Sequence, residues 1–139
     1  MSVEFCDTNV FVYGCQAGDA GAKGRAARQL IQHLWASRTG AISIQVLQEL
    51  YVTLTHRGST VLSTELAGRI VLGLTAWEVF APQTADVLAA IQNAEQWQVS
   101  FWDGMMLTAA NVLAASVCWS EDLNHGQRYG RVLVQNPFR

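Results

Sequence analysis

The segment Val3-Glu4-Phe5-Cys6-Asp7-Thr8-Asn9-Val10-Phe11-Val12-Tyr13 sets two short apolar runs on either side of a polar tripeptide. The first run has the length and character of a buried strand, and the break Asp7-Thr8-Asn9 gives the chain a place to turn. The second run then predicts a short helix over Val10–Tyr13. A strand that feeds a helix through a polar turn is the opening of an α/β fold.

The rest of the chain repeats this unit. The glycine-bearing stretch Cys15–Gly24 predicts a loop. A helix follows over about Lys23–Ser37, with Ala26, Leu30, Leu34 and Ala27, Ile31 on three- and four-residue spacing, and Thr39-Gly40 is expected to stop it. Ala41–Ile44 predicts a second strand ending at Ser43, which also suits the cap of a helix carrying Val46, Leu47, Leu50 and Leu54. A further helix is expected from about Ser59 to Leu74, then a strand at Trp77–Phe80 and a helix started by Pro82 and Thr84. Phe101-Trp102-Asp103 opens a helix whose apolar residues, from Met106 to Val117, cover nearly its whole circumference, the mark of burial. Strand fragments at Cys118-Trp119 and Val132–Val134 close the pattern. Short apolar strands alternating with longer helices predict a parallel sheet covered on both faces, in one domain over residues 1–139.

Composition bounds the function. Charged residues are 14% of the 139, against about 25% in an ordinary soluble chain, and the net charge is −2. A global basic field for coating nucleic acid or anionic membrane is thereby excluded. Charge this sparse points to surface covered by a second copy or a partner, with Leu62, Leu66 and Ile70 as the expected contact face; a coat of Gln, Ser and Thr is the other account. The cysteines Cys6, Cys15 and Cys118 form no CxxC pair, as expected of free thiols in a reducing compartment. Glu4 stands where a signal peptide would carry bases, and no run of 18 apolar residues follows, so a cytoplasmic protein without a membrane anchor is expected.

Four of the eleven acids have notable positions. Asp7 ends the first strand, Glu49 lies in the helix entered from the second, Asp103 begins the apolar helix and Asp122 follows the fourth strand. All four fall at the carboxyl edge of a parallel sheet, where ligands of such sheets bind. Eight arginines and one lysine serve the whole chain, almost none near these acids in sequence, so a hard divalent cation is the natural neutraliser. Oxygen ligands favour Mg²⁺ or Mn²⁺, whereas His33, His56 and His125 show no zinc spacing. Such a site suits phosphodiester hydrolysis. An ordinary account also stands: Asp7, Asp103 and Asp122 as turn or cap residues, and Glu49 as a solvated helix residue.

Five ordered blocks, Asp7–Tyr13, Ser43–Tyr51, Ser100–Asp103, Ser120–Leu123 with Gly126-Gln127, and Asn136–Phe138, resemble the PIN domain family. The likeness is greatest to VapC-type toxins of bacterial type II toxin–antitoxin systems. That resemblance implies a three-layer α/β/α sandwich with strand order 3-2-1-4-5 and a metal-dependent endoribonuclease. It implies Asp7, Glu49, Asp103 and Asp122 as the catalytic, Mg²⁺- or Mn²⁺-holding acids, with Thr8, Asn9, Ser43, Ser120 and Glu121 in support. It further implies an RNA substrate, a homodimer and a small antitoxin whose tail crosses the active-site groove.

Candidates for gripping RNA are Lys23, Arg25 and Arg28, then Arg128 and Arg131, with Arg57 after the second long helix. Trp35, Trp77 and Trp97 are expected in core or interface and Trp119 in sheet core. Trp102 is expected to pack in the core, with a base-stacking role as the alternative. His56 reads as a helix end. Two other functions compete: a binding subunit of a DNA-bound partner complex, and a structure-specific DNA nuclease. The latter class usually carries inserted arches, for which 139 residues leave no room.

Overall fold

A computed structural model describes residues 2–16, 21–56 and 62–139. The elements run β1 (Glu4–Cys6), α1 (Thr8–Cys15), α2 (Gly21–Ser37), β2 (Gly40–Ser43), α3 (Ile44–Thr55), α4 (Thr64–Leu74), β3 (Glu78–Phe80), α5 (Thr84–Trp97), α6 (Phe101–Val112), β4 (Val117–Trp119), β5 (Arg128–Tyr129) and β6 (Val132–Gln135).

The sheet order is β3-β2-β1-β4-β6-β5. All neighbours pair in parallel except β5, which runs antiparallel beside β6 with Arg128 opposite Leu133 and Tyr129 opposite Val132. The expected order 3-2-1-4-5 is thus present as β3-β2-β1-β4-β6, and it gains an antiparallel edge. That edge is two residues long and is joined to β6 through Gly130, at φ 67°. Two residues carry no apolar run, so nothing in the pattern marked a strand there. The ribbon shields β6 from open edge pairing.

The core draws on every layer: Phe5 and Cys6 of β1, Ile42 of β2, Cys118 of β4 and Val132 and Val134 of β6 are fully buried. α1 packs on α2 and α3, α3 on α4, and α5 on α6. Within α6 every residue from Gly104 to Ala110 is buried, as its apolar circumference predicted. Gly104 is required by that contact, because a Cβ there would meet the Ala90 carbonyl oxygen of α5 at 2.6 Å. Trp77 lies in the core, and Trp97 is half-buried with its ring edge-on to Tyr129. Trp35 is largely exposed although it meets Trp77 edge-on at 5.5 Å. Cys6, Cys15 and Cys118 are free thiols.

Four local expectations are corrected. The loop expected over Cys15–Gly24 gives way to α1 up to Cys15 and to α2 from Gly21, while residues 17–20 lie outside the described ones. α2 ends at Ser37 as expected, but the chain is turned by Arg38, left-handed at φ 59°, rather than by Thr39-Gly40. Gly40 serves a different need, since a Cβ there would strike the Trp77 ring at 2.5 Å. The apolar helix ends at Val112 rather than running to Val117. Ala114 turns left-handed at φ 55° and the Ala115 amide closes on the Ala110 carbonyl, a Schellman end made without glycine. The helix expected from about Ser59 starts only at Thr64, where the Ser63 hydroxyl accepts the Leu66 amide at 3.1 Å and caps it; Ser59 itself and Arg57 lie outside the described residues. No described helix is long and apolar enough to cross a membrane.

Candidate active site

Parallel pairing brings the C-terminal ends of β1, β2 and β4 to one edge. Asp7 leaves β1 there, α3 starts there after β2, and Ser120-Glu121-Asp122 follow β4. α6 precedes β4 and runs back against it, so its first turn, with Asp103, belongs to the same edge. A cleft of about 340 Å³ opens among Asp7, Asn9, Tyr13, Glu49, Glu121 and Asp122.

Asp7 is buried, and it caps α1: its Oδ1 accepts the Thr8 amide at 2.7 Å. Its Oδ2 accepts the Ser120 hydroxyl at 2.6 Å and the Asn9 side-chain amide at 3.2 Å. The same Asn9 nitrogen donates to Asp122 Oδ2 at 3.2 Å, and the Asp122 amide donates to Ser120 Oγ at 3.1 Å. Ser120 and Asn9 therefore tie the ends of β1 and β4 together around two carboxylates. The ordinary account of Asp7 as a cap and the functional one hold together, because one oxygen serves the helix while the other faces the cluster.

Burial pushes the Asp7 carboxyl up to about 7, against the pull of Ser120 and Thr8, and the charges of Asp122 and Glu49 add to the rise. Burial likewise raises the Asp103 carboxyl, with Ser100 opposing and Asp122 contributing. Among the described residues no ion pair reaches Asp7, Glu49, Asp103 or Asp122. These four acids concentrate negative charge without a paired cation among the described residues, and Lys23 answers only Glu121 at the cleft mouth.

The structure places Asp7, Glu49 and Asp122 on one cleft, whereas Asp103 lies beside it and not in its lining. Among the described residues no three of the Asp, Glu, His and Cys side chains already stand as a cage for one ion. The donor chemistry nevertheless fits a hard divalent cation. Every candidate ligand is oxygen, and Thr8 Oγ1 and Asn9 Oδ1 are buried there without partners. Glu49 and Asp122 are both exposed at the cleft, Asp122 held toward Asp7 by Asn9.

Of the expected supporting residues, Thr8, Asn9, Ser120 and Glu121 stand at the cluster. Ser43 instead caps α3, accepting the Val46 amide at 3.3 Å. Among the described basic residues, Lys23 alone is bonded to a residue of the cleft lining. Its Nζ donates to Glu121 Oε2 at 3.0 Å and to the Tyr13 hydroxyl at 3.3 Å, and lies 4.9 Å from the Tyr13 ring centroid. Arg28 lines a separate apolar hollow with Ile31 and Ile70, Arg128 and Arg131 sit on the β5–β6 hairpin, and Arg25 is exposed on α2. Tyr13 went unrecognised in the sequence. It donates to Glu121 Oε1 at 3.0 Å and stacks edge-on with Phe138 at 4.9 Å. The signal was helical spacing: Asn9, Val12, Tyr13 and Gln16 share the cleft-facing side of α1.

Three solved structures share this architecture. A toxin–antitoxin complex from Klebsiella pneumoniae superposes with a TM-score of 0.70 at 15% identity, covering 98% of each chain. This is a PIN-like fold. DNA-bound VapBC from Salmonella typhimurium gives 0.67 at 18% identity over 99% of both chains. Mycobacterium tuberculosis VapC20, a sarcin–ricin loop cleaving toxin, gives 0.59 at 20% identity over 86% of this chain and 91% of its own. Neither a protein-family model nor a curated protein matches the sequence. The PIN-like likeness is one of fold, carried by the sheet order and the helices that cover it.

Proposed function

We propose that the chain is a metal-dependent endoribonuclease, the toxin of a toxin–antitoxin pair. The observation that carries this reading is the buried Asp7 carboxylate, sharing a cleft with Glu49 and Asp122 at the strand ends of a PIN-like sheet, with no cationic side chain paired to it among the described residues. The fold neighbours support it, one of them an RNA-cleaving toxin and others toxin–antitoxin assemblies.

In this reading Asp7, Glu49, Asp103 and Asp122 hold Mg²⁺ or Mn²⁺. The ion, when bound, would acidify an attacking water and bear charge that develops on the phosphate. The chain's own residues prepare the ground. Ser120 and Thr8 fix the Asp7 oxygens, so that no rotamer search is needed when an ion arrives. Asn9 keeps Asp122 in register with Asp7. Lys23, at the cleft mouth, supplies a cation for the RNA backbone when its pair with Glu121 opens. A small antitoxin covering the cleft would silence the enzyme.

The test is cleavage of structured RNA by the purified chain with Mn²⁺, with and without excess EDTA. Cleavage should require the metal, and Asp7→Asn should lower it by at least about 100-fold, since an amide keeps the shape and loses the charge. Undiminished cleavage in EDTA overturns the metal reading. No cleavage with metal present, on any RNA tried, overturns the enzyme.

A further inference from the structure

Trp102 is the second residue of α6, next to Asp103, and 63% of its surface is exposed. Core packing, the expectation from sequence, is overturned: the seven residues Gly104 to Ala110 are buried while this indole is left in solvent. The largest apolar surface of the helix therefore faces outward at the edge where the carboxylates gather. The Phe101 ring meets it edge-on, with centroids 5.0 Å apart and planes at 79°, which holds the indole in a set orientation.

Beside the indole is a recess of about 310 Å³ lined by Gln45, Gln48, Glu49 and Trp102. Glu49 lines this recess and the carboxylate cleft alike, so the two are adjacent. Gln45 donates its amide nitrogen to the Trp102 carbonyl at 3.4 Å, tying α3 to the first turn of α6. Its Oε1 is a buried acceptor without a hydrogen-bond partner, at the side of the recess. Gln48 is exposed alongside.

A π face, two side-chain amides and one carboxylate select their ligand. An anion would be repelled by Glu49, and a purely apolar group would leave the amides unused. A flat, neutral ring with hydrogen-bonding edges answers all three. We infer that Trp102, with Gln45 and Gln48, forms a nucleobase subsite, on which an unpaired base of the RNA stacks while a neighbouring phosphate lies at the carboxylates. The inference rests on the ribonuclease reading and deepens it. Trp102 is a specificity-determining residue in this account and takes no part in the chemistry.

The experiment compares three ten-unit probes, oligo(A), oligo(U) and an abasic ribose–phosphate strand, by fluorescence anisotropy with wild type, Trp102→Leu and Trp102→Phe. It is run in Ca²⁺, which oxygen ligands accept but which positions water poorly. Wild type should bind oligo(A) about 10-fold or more tighter than the abasic strand, with oligo(U) between them. Trp102→Leu should erase that preference and leave abasic binding unchanged, while Trp102→Phe should keep most of it. Equal binding of all three probes by wild type, or a preference that survives Trp102→Leu, overturns the subsite and leaves the ribonuclease reading standing; the indole would then belong to a protein contact. Wild type that binds no probe overturns the subsite and the RNA reading together.

Discussion

At Asp7 a helix cap and a charge store occupy the same side chain, and the conflict between them is measurable. Its carboxyl sits at about 7 in the folded chain, whereas an unfolded Asp titrates near about 3.9. Between those values the folded state keeps a proton that the unfolded state has released. The Asp7 contribution to metal-free stability should therefore be most favourable at low pH, fall as pH rises from about 4 to about 7, and level off above that, with a total on the order of 4 kcal/mol. Asp7→Asn should flatten this slope and leave the metal-free fold at pH 8 as stable as wild type or more so. Urea midpoints in EDTA at pH 5 and pH 8 check both points, and parallel slopes for the two proteins would refute the assignment. Strand ends can be read from polarity, and that reading put Asp7, Glu49 and Asp122 on one cleft while Asp103 falls outside its lining. The sequence did not show Asn9 bridging Asp7 and Asp122, since the bond joins residues 113 apart and depends on β1 and β4 being neighbours.

Among the elements, the apolar run after Asp103 identified α6 and its burial, yet misplaced its end. Apolar content continues past Val112, and the residue that turns the chain is an alanine, where helix ends more commonly use glycine. Left-handed backbone costs an L-residue about 1 kcal/mol, so Ala114→Gly should stabilise the fold by about 0.5–1 kcal/mol in chemical denaturation. No gain would mean that the Schellman end carries no strain. Gly40 shows the converse error. It stands three residues beyond Ser37, where α2 ends, but its missing Cβ makes room for Trp77, which precedes the neighbouring strand β3, a contact that local spacing does not encode.

Over the whole molecule, sparse charge is matched by exposed apolar side chains: Leu66 and Leu72 on α4, and Val87, Leu88 and Ile91 on α5. Leu72, at 70% exposure, was not among the contact residues expected from sequence. Light scattering at micromolar concentration should return twice the mass of one chain, and Leu72→Glu should shift it toward one. A single-chain mass for the wild type would remove self-association as the account of the low charge. The parallel sheet was legible from short apolar runs between helices, whereas its order β3-β2-β1-β4-β6 followed from the family resemblance alone; the β5 ribbon was not legible, being defined by its partner more than by its own residues.

Lys23 is the only lysine in the sequence, and it stands at the mouth of the acidic cleft. Amine-directed reagents thus have one side-chain target, placed where occupancy of the cleft matters. Contact with Glu121 and Tyr13 raises the Lys23 pKa, which keeps the amine protonated and slow to acylate. Whatever draws Glu121 away, or Glu121→Gln in its place, should quicken that reaction. The chain therefore carries its own chemical reporter of the cleft, readable by mass spectrometry as the rate at which a single side chain takes up a label.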